Sequence, residues 1–240
     1  LESLKISSVY GAYSKSNPSI SDKDISRIAK ITSLKSLTIA NQEKITWLYL
    51  DNLTNLEVLT ITGNNKLEEV FGLDKLKKIR EVSIYGNKEL YETSHIQDLI
   101  RSNDLDLLEL DLLSYPEVSD LDNILSRINC SFKETTNGGE LSYNYWTANL
   151  LHKKSLEIIK DIAGSSRNKL DMLILIEKYL AENISYDYEA RDRKDRAHFE
   201  NGIKRGLNKG TQSAYNGLMF GSCVCEGYTR AMQYLLKILK

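Results

Sequence analysis

Apolar residues in the first half of the chain recur in a six-residue frame, apolar-x-x-apolar-x-apolar. The copies are Leu1/Leu4/Ile6, Leu34/Leu37/Ile39, Leu56/Leu59/Ile61, Ile79/Val82/Ile84 and Leu105/Leu108/Leu110, with starts 33, 22, 23 and 26 residues apart. Such a period predicts small units that stack on their neighbours and share one core. After each of the three middle frames an amide residue follows by three positions (Gln42, Asn64, Asn87) and an apolar residue by six (Ile45, Leu67, Leu90). An amide at that point can satisfy backbone groups stranded where each coil turns, so these three residues are read as structural. Leu113 interrupts the amide series in the fifth copy, and the repeat is expected to end there. Within the long first repeat, Ser21-Asp22-Lys23-Asp24 ahead of Ile25, Ile28 and Ala29 predicts a capped short helix.

The second half has a different period. Thr135-Thr136-Asn137-Gly138-Gly139 is the clearest loop signal in the chain and sets the expected boundary near residue 140, giving regions 1–140 and 141–240. Beyond it, Leu150, Leu151, Leu156, Ile159, Ile162 and Ala163 follow helical spacing, as do Leu170, Leu173, Ile174, Leu180 and Ala181. Gly164-Ser165-Ser166 separates these two predicted helices. A polar segment over 187–212 follows, and then a turn at Gly221 feeds a last helix through Ala231, Leu235, Leu236 and Leu239.

The repeat resembles the leucine-rich-repeat family, and Leu53-Thr54-Asn55-Leu56 is similar to the internalin type found on bacterial surfaces. The likeness covers roughly residues 1–125. It implies a solenoid whose concave sheet exposes the residues between frame positions, among them Ser36/Thr38/Ala40, Glu81/Ser83/Tyr85 and Leu107/Glu109/Asp111. Tyr85, Glu109 and Asp111 are the candidate binding residues for a surface or host protein. Tyr85 is the only aromatic anchor on that face.

Charge sharpens the division. Residues 1–128 carry 15 basic and 20 acidic side chains, whereas 129–240 carry 17 and 13. The basic run Arg191, Arg193, Lys194, Arg196, Lys204, Arg205 and Lys209 has only Phe199 for stacking, so no nucleic acid is expected as a partner. The longest apolar run, Met172 to Ile176, is far shorter than the roughly 20 residues of a membrane helix. Three cysteines (Cys130, Cys223, Cys225) are too few for a disulfide framework. No metal motif and no calcium loop are evident, so no cofactor is expected.

Cys225 carries the candidate chemistry. It stands at the predicted start of the last helix, where unpaired N–H groups and the positive end of the helix dipole favour a thiolate and can hold an oxyanion. Gly227 is expected to keep the first turn open to substrate. Cys223 and Cys130 are read as packing residues. Gly221-x-x-Val224-Cys225-Glu226-Gly227-Tyr228, preceded by Ser213-Ala214-Tyr215, resembles the transglutaminase-like superfamily. The match covers roughly residues 150–240. It implies a papain-like core with Cys225 as the nucleophile of acyl transfer on a protein or peptide substrate, aided by a His and an Asp that follow the cysteine.

Here His95, His152 and His198 all precede Cys225, and 15 residues follow it. The chain also opens at Leu1 without a Met, so both ends are read as cut, and the polypeptide is expected to be inactive by itself. The resulting expectation is an α/β chain: a leucine-rich-repeat solenoid, then the mostly helical first part of a transglutaminase-like domain, at a bacterial cell surface. Catalysis would be transamidation or amide hydrolysis; the alternative is a non-enzymatic adhesion module.

Overall fold

A computed structural model describes residues 1–8, 19–90, 94–114, 121–136, 139–164, 168–193, 199–200, 203–204 and 209–239. The chain is mixed α/β and divides into two compact units, Leu1–Lys133 and Glu134–Lys240. The first unit runs β1 (Ser3–Ser7), α1 (Asp22–Ile28), β2 (Ser36–Ala40), β3 (Trp47–Tyr49), β4 (Val58–Thr62), β5 (Glu69–Phe71), β6 (Glu81–Tyr85), α2 (Ser94–Ser102), β7 (Leu107–Asp111), α3 (Asp122–Leu125) and β8 (Asn129–Thr136).

Each frame forms a strand, and β1, β2, β4, β6, β7 and β8 lie side by side in that order, all parallel. Register sets frame upon frame, Leu4 beside Leu37, Leu37 beside Leu59, Leu59 beside Val82 and Val82 beside Leu108. Like stacks on like in two buried rows, Leu37, Leu59, Val82 and Leu108 in one and Ile39, Ile61, Ile84 and Leu110 in the other. A shorter parallel pair, β3–β5, has Leu48 and Val70 buried at its centre. The cap expected before α1 is present: the Asp24 carboxylate accepts from the Ser21 N–H (3.1 Å) and hydroxyl (2.7 Å), which holds its pKa below the usual carboxylate range.

The ladder outruns the repeat. β8 pairs with β7 from Leu107–Asn129 to Asp111–Lys133, and Cys130 and Phe132 occupy buried positions that leucine or isoleucine hold in earlier copies. That exchange of side chains hides the last copy in the sequence. At the coil corners the amides act as the sequence predicts. Asn64 Oδ1 accepts from the Gln42 N–H (3.0 Å), and Asn87 Oδ1 from the Asn64 N–H (2.9 Å). Their Nδ2 groups donate to the Ile39 and Ile61 carbonyls (3.0 and 2.9 Å). The residue before each amide, Asn41, Gly63 or Gly86, has positive φ. A Cβ on Gly63 would lie 2.4 Å from Asn41 Oδ1, so a side chain there would have to displace the Asn41 amide as well as take up a left-handed backbone.

The second unit begins within β8 and continues through β9 (Gly139–Asn144), α4 (Tyr145–Ala163), α5 (Lys169–Asn183), β10 (Ser185–Tyr186), α6 (Tyr188–Arg193), β11 (Phe199–Glu200), β12 (Ile203–Lys204), α7 (Ala214–Phe220), β13 (Ser222–Cys223) and α8 (Cys225–Ile238). The division falls at residues 133/134 instead of near 140. Its physical reason is Glu134, whose side chain bonds to Tyr143 and Ala214 of the second unit. Thr135 and Thr136 end β8 and Gly139 begins β9, so strands flank the expected loop; Asn137 and Gly138 lie outside the described residues, as do Ser165 and Ser166.

Asn144 and Asn168 cap α4 and α5. Leu151 and Ile158 of α4, Ile176 and Leu180 of α5, and Ala231 and Leu235 of α8 are buried, whereas Leu150, Leu156, Leu170 and Ile174 are exposed. Helical spacing therefore selects the elements correctly, but the buried stripe is narrower than the apolar one. Among the described residues no helix is long and apolar enough to cross a membrane.

Candidate functional site

Cys225 is the first residue of α8 and is exposed. The turn that presents it is built from three short elements. Ser213 caps α7 by accepting from the Asn216 N–H (3.1 Å), and Gly221 ends α7 with φ +64°, where a Cβ would meet the Asn183 carbonyl at 2.9 Å. The chain then enters β13, which pairs in parallel with β10, Ser185 beside Ser222 and Tyr186 beside Cys223. Bonds from the Ser185 N–H to the Gly221 carbonyl (2.8 Å) and from the Asp187 N–H to the Cys223 carbonyl (3.0 Å) extend that pairing. The Val224 N–H donates to the Thr211 carbonyl (2.9 Å), and the Tyr228 hydroxyl donates to the Ile184 carbonyl.

Val224, the residue before the helix, is extended (φ −91°, ψ 177°) and has no side chain able to accept a hydrogen bond, so no side chain caps α8. The positive end of the α8 dipole therefore lies beside Cys225, where it favours an anion. An open space of about 350 Å³ borders the same helix face, formed by Cys225, Glu226, Thr229, Arg230 and Gln233. Arg230 reaches back one turn to Glu226 (3.2 Å), leaving a balanced charge pair beside the thiol.

Two residues from Cys225, Cys223 is sealed at 0% exposure, and burial pushes its thiol up to about 12, with the neighbouring Cys225 and Asp187 adding to the shift. Gly227 explains the seal. A Cβ there would stand 2.5 Å from Cys223 Cβ and 2.9 Å from the Thr211 carbonyl, so Gly227 serves inward packing and not the approach of substrate expected from the sequence. Cys130 is likewise buried, its thiol raised to about 12 by desolvation. Of the histidines, His95 belongs to α2 of the first unit and His152 is buried in α4; His198 lies outside the described residues. Among the described residues no hydrogen bond joins the Cys225 thiol to a histidine, and no cluster of three His, Cys, Asp or Glu side chains is placed to hold a metal ion.

Tyr85, Glu109 and Asp111 do come together on the main sheet of the first unit, around a residue the sequence did not single out, Lys133. Its ammonium lies 3.1 Å from Glu109 and 5.5 Å from the centre of the Tyr85 ring. Glu109 also accepts from the Ser83 hydroxyl (2.7 Å) and from Ser131 (3.4 Å). Burial raises the Glu109 pKa, but these bonds and the Lys133 charge outweigh it and hold the carboxyl below its ordinary range. Both Asp111 oxygens accept from the Gly86 N–H (3.1 Å), fixing the corner with positive φ. Ser83, 8% exposed, and Ala40 lie on the same face in register with Glu109 and Thr62, but both are covered by their neighbours.

Two features escaped the sequence reading. Glu134 is a buried carboxylate that accepts from the Ala214 N–H (2.8 Å) and the Tyr143 hydroxyl (2.7 Å). Desolvation raises its pKa despite those bonds. Its signal was strand alternation, which puts it in phase with Cys130 and Phe132. The second is an aromatic group on β3–β5, Trp47, Tyr49 and Phe71, outside the repeated frame that dominates the pattern.

Comparison with known proteins finds no match: no family model, no curated protein and no solved structure corresponds to this chain at a significant level.

Proposed function

We propose that Cys225 is the nucleophile of a transglutaminase-like acyl-transfer domain, joined to a leucine-rich-repeat solenoid that recognises a partner at a bacterial cell surface. The observation that carries this reading is the contrast between the chain's thiols. Cys225 alone is exposed, at an uncapped helix start and beside an open space, while Cys130 and Cys223 are buried. In the first unit, the in-register parallel strands and the buried amide ladder support the solenoid reading. The Cys225 sulfur would attack an amide carbonyl of a glutamine side chain or peptide, and the α8 N–H groups would hold the oxyanion. The C–N bond then breaks, the leaving amine takes a proton, and the resulting thioester is resolved by an amine or by water, which regenerates the thiol.

Turnover of a plain amide also needs a general base. No histidine is bonded to the thiol among the described residues, so the first half-reaction is the one to test. An N-acylglutamine nitrophenyl ester is expected to leave one acyl group on native Cys225, located by mass spectrometry, released by hydroxylamine and missing in Cys225→Ala. Acylation no faster than that of a cysteine tripeptide sinks the nucleophile assignment. The same result would favour the second reading, a non-enzymatic binding module.

A further inference from the structure

The first unit's aromatic side chains are not on the face where the repeat predicted recognition. On β3, Trp47 and Tyr49 point outward at 44% and 41% exposure while Leu48 is buried. On β5, Glu69 and Phe71 flank buried Val70. Register sets Trp47 beside Glu69 and Tyr49 beside Phe71, so these four side chains share one surface. The Tyr49 and Phe71 rings are stacked, 5.0 Å apart and 8° from parallel. Stacking across a rigid strand pair holds the rings in place, so a ligand need not order them on binding. Trp and Tyr are the side chains that most often dominate binding energy. On the main sheet, by contrast, Tyr85 already lies against Lys133.

Charge selects the partner. Of the four side chains on this face one is a carboxylate, Glu69, and none is basic. Asp22 adds a second carboxylate beside Trp47, accepting from the Thr46 N–H (2.9 Å) and hydroxyl (2.8 Å), whereas Asp51, two residues after Tyr49, already lies within electrostatic reach of Lys75. Aromatic faces next to a carboxylate attract a guanidinium or ammonium. Trp47 and Tyr49, two residues apart on a strand, are about 7 Å apart, the repeat of alternate side chains in an extended peptide.

We propose that the outward face of β3–β5 binds an extended segment of a partner protein that carries Arg or Lys, with the cation set between Trp47 and Glu69 and the neighbouring side chain laid against Tyr49–Phe71. The full chain with Trp146→Phe keeps Trp47 as its sole indole, and the probes are end-blocked hexapeptides of alternating Arg and Ala or of alternating Glu and Ala. The Arg peptide is expected to shift Trp47 fluorescence saturably and to bind more weakly as salt rises from about 50 to about 300 mM. Tyr49→Ala is expected to weaken it roughly tenfold, and the isosteric Glu69→Gln about threefold to tenfold. Equal binding of the Glu peptide, or unchanged affinity in both variants, overturns the proposal. So does a dimer in sedimentation that Tyr49→Ala disperses, which would assign the face to a second copy of the chain.

Discussion

Lys133 and Glu134 are successive residues of β8, and the division between the two units falls between them. Each belongs to a carboxylate site, and the two sites titrate in opposite senses. In the first unit Glu109 accepts from serine hydroxyls and pairs with Lys133, so its carboxyl sits below the ordinary range although burial opposes this. In the second unit Glu134 accepts from Ala214 and Tyr143 with no ion pair among the described residues, and burial lifts it above that range. Both carboxylates are hydrogen-bonded. Depth of burial separates them: at the more deeply buried Glu134 desolvation outweighs the bonds from Ala214 and Tyr143, whereas at Glu109 the Ser83 bond, and after it the Lys133 contact, outweigh a smaller desolvation.

The chain has one tryptophan in each unit, Trp47 and Trp146, so single-tryptophan variants read the stability of each unit separately. The largest effect is expected from Glu134→Ala, which leaves the buried Ala214 N–H and Tyr143 hydroxyl without their acceptor. A loss of about 2–4 kcal/mol in the transition reported by Trp146 should appear on urea unfolding, with the Trp47 transition little changed. Next, Lys133→Ala removes the cation from Glu109 and should lower the stability of the first unit by about 1–2 kcal/mol at neutral pH, and by less in acid, where Glu109 is protonated.

The smallest effect is the most specific. Because the folded-state pKa of Glu134 is raised, its contribution to stability is fully present below the ordinary glutamate value of about 4.3 and is lost as pH rises through the raised value. Glu109, with its lowered pKa, contributes above about 4.3 and loses that contribution as pH falls through the lowered value. As pH falls from 7 toward about 4.3 the second unit should therefore gain stability while the contribution of Glu109 to the first does not grow. Glu134→Gln should flatten the first of these responses. An unchanged slope in the Trp146 thermal transition across that range would assign the pH dependence to another group.

Much of this was legible along the chain. The frame of Leu34/Leu37/Ile39 and its successors located the strands, and Gln42, Asn64 and Asn87 announced the corner ladder, because both depend on residues that repeat at a fixed spacing. Cys225 was placed at a helix start from Gly221 before it and the apolar period after it, both local signals. What was misplaced depended on neighbours distant in sequence. Gly227 was read as an opening toward substrate, and it faces Cys223 and Thr211. The repeat places Tyr85, Glu109 and Asp111 on one sheet but gives no sign of the contacts they make with Lys133 and the Gly86 N–H.

The sequence by itself determined which elements form and how they repeat, since a six-residue frame, an amide after each turn and a helical period are properties of short windows. The tertiary structure alone decided what each polar side chain meets. It set Lys133 against Glu109, drew Glu134 into the second unit, buried one thiol while exposing another two residues away, and put the exposed aromatics on β3–β5. The physical reason is that burial, ion pairing and desolvation depend on which residues approach across many positions of chain, and no single window of the sequence contains both partners.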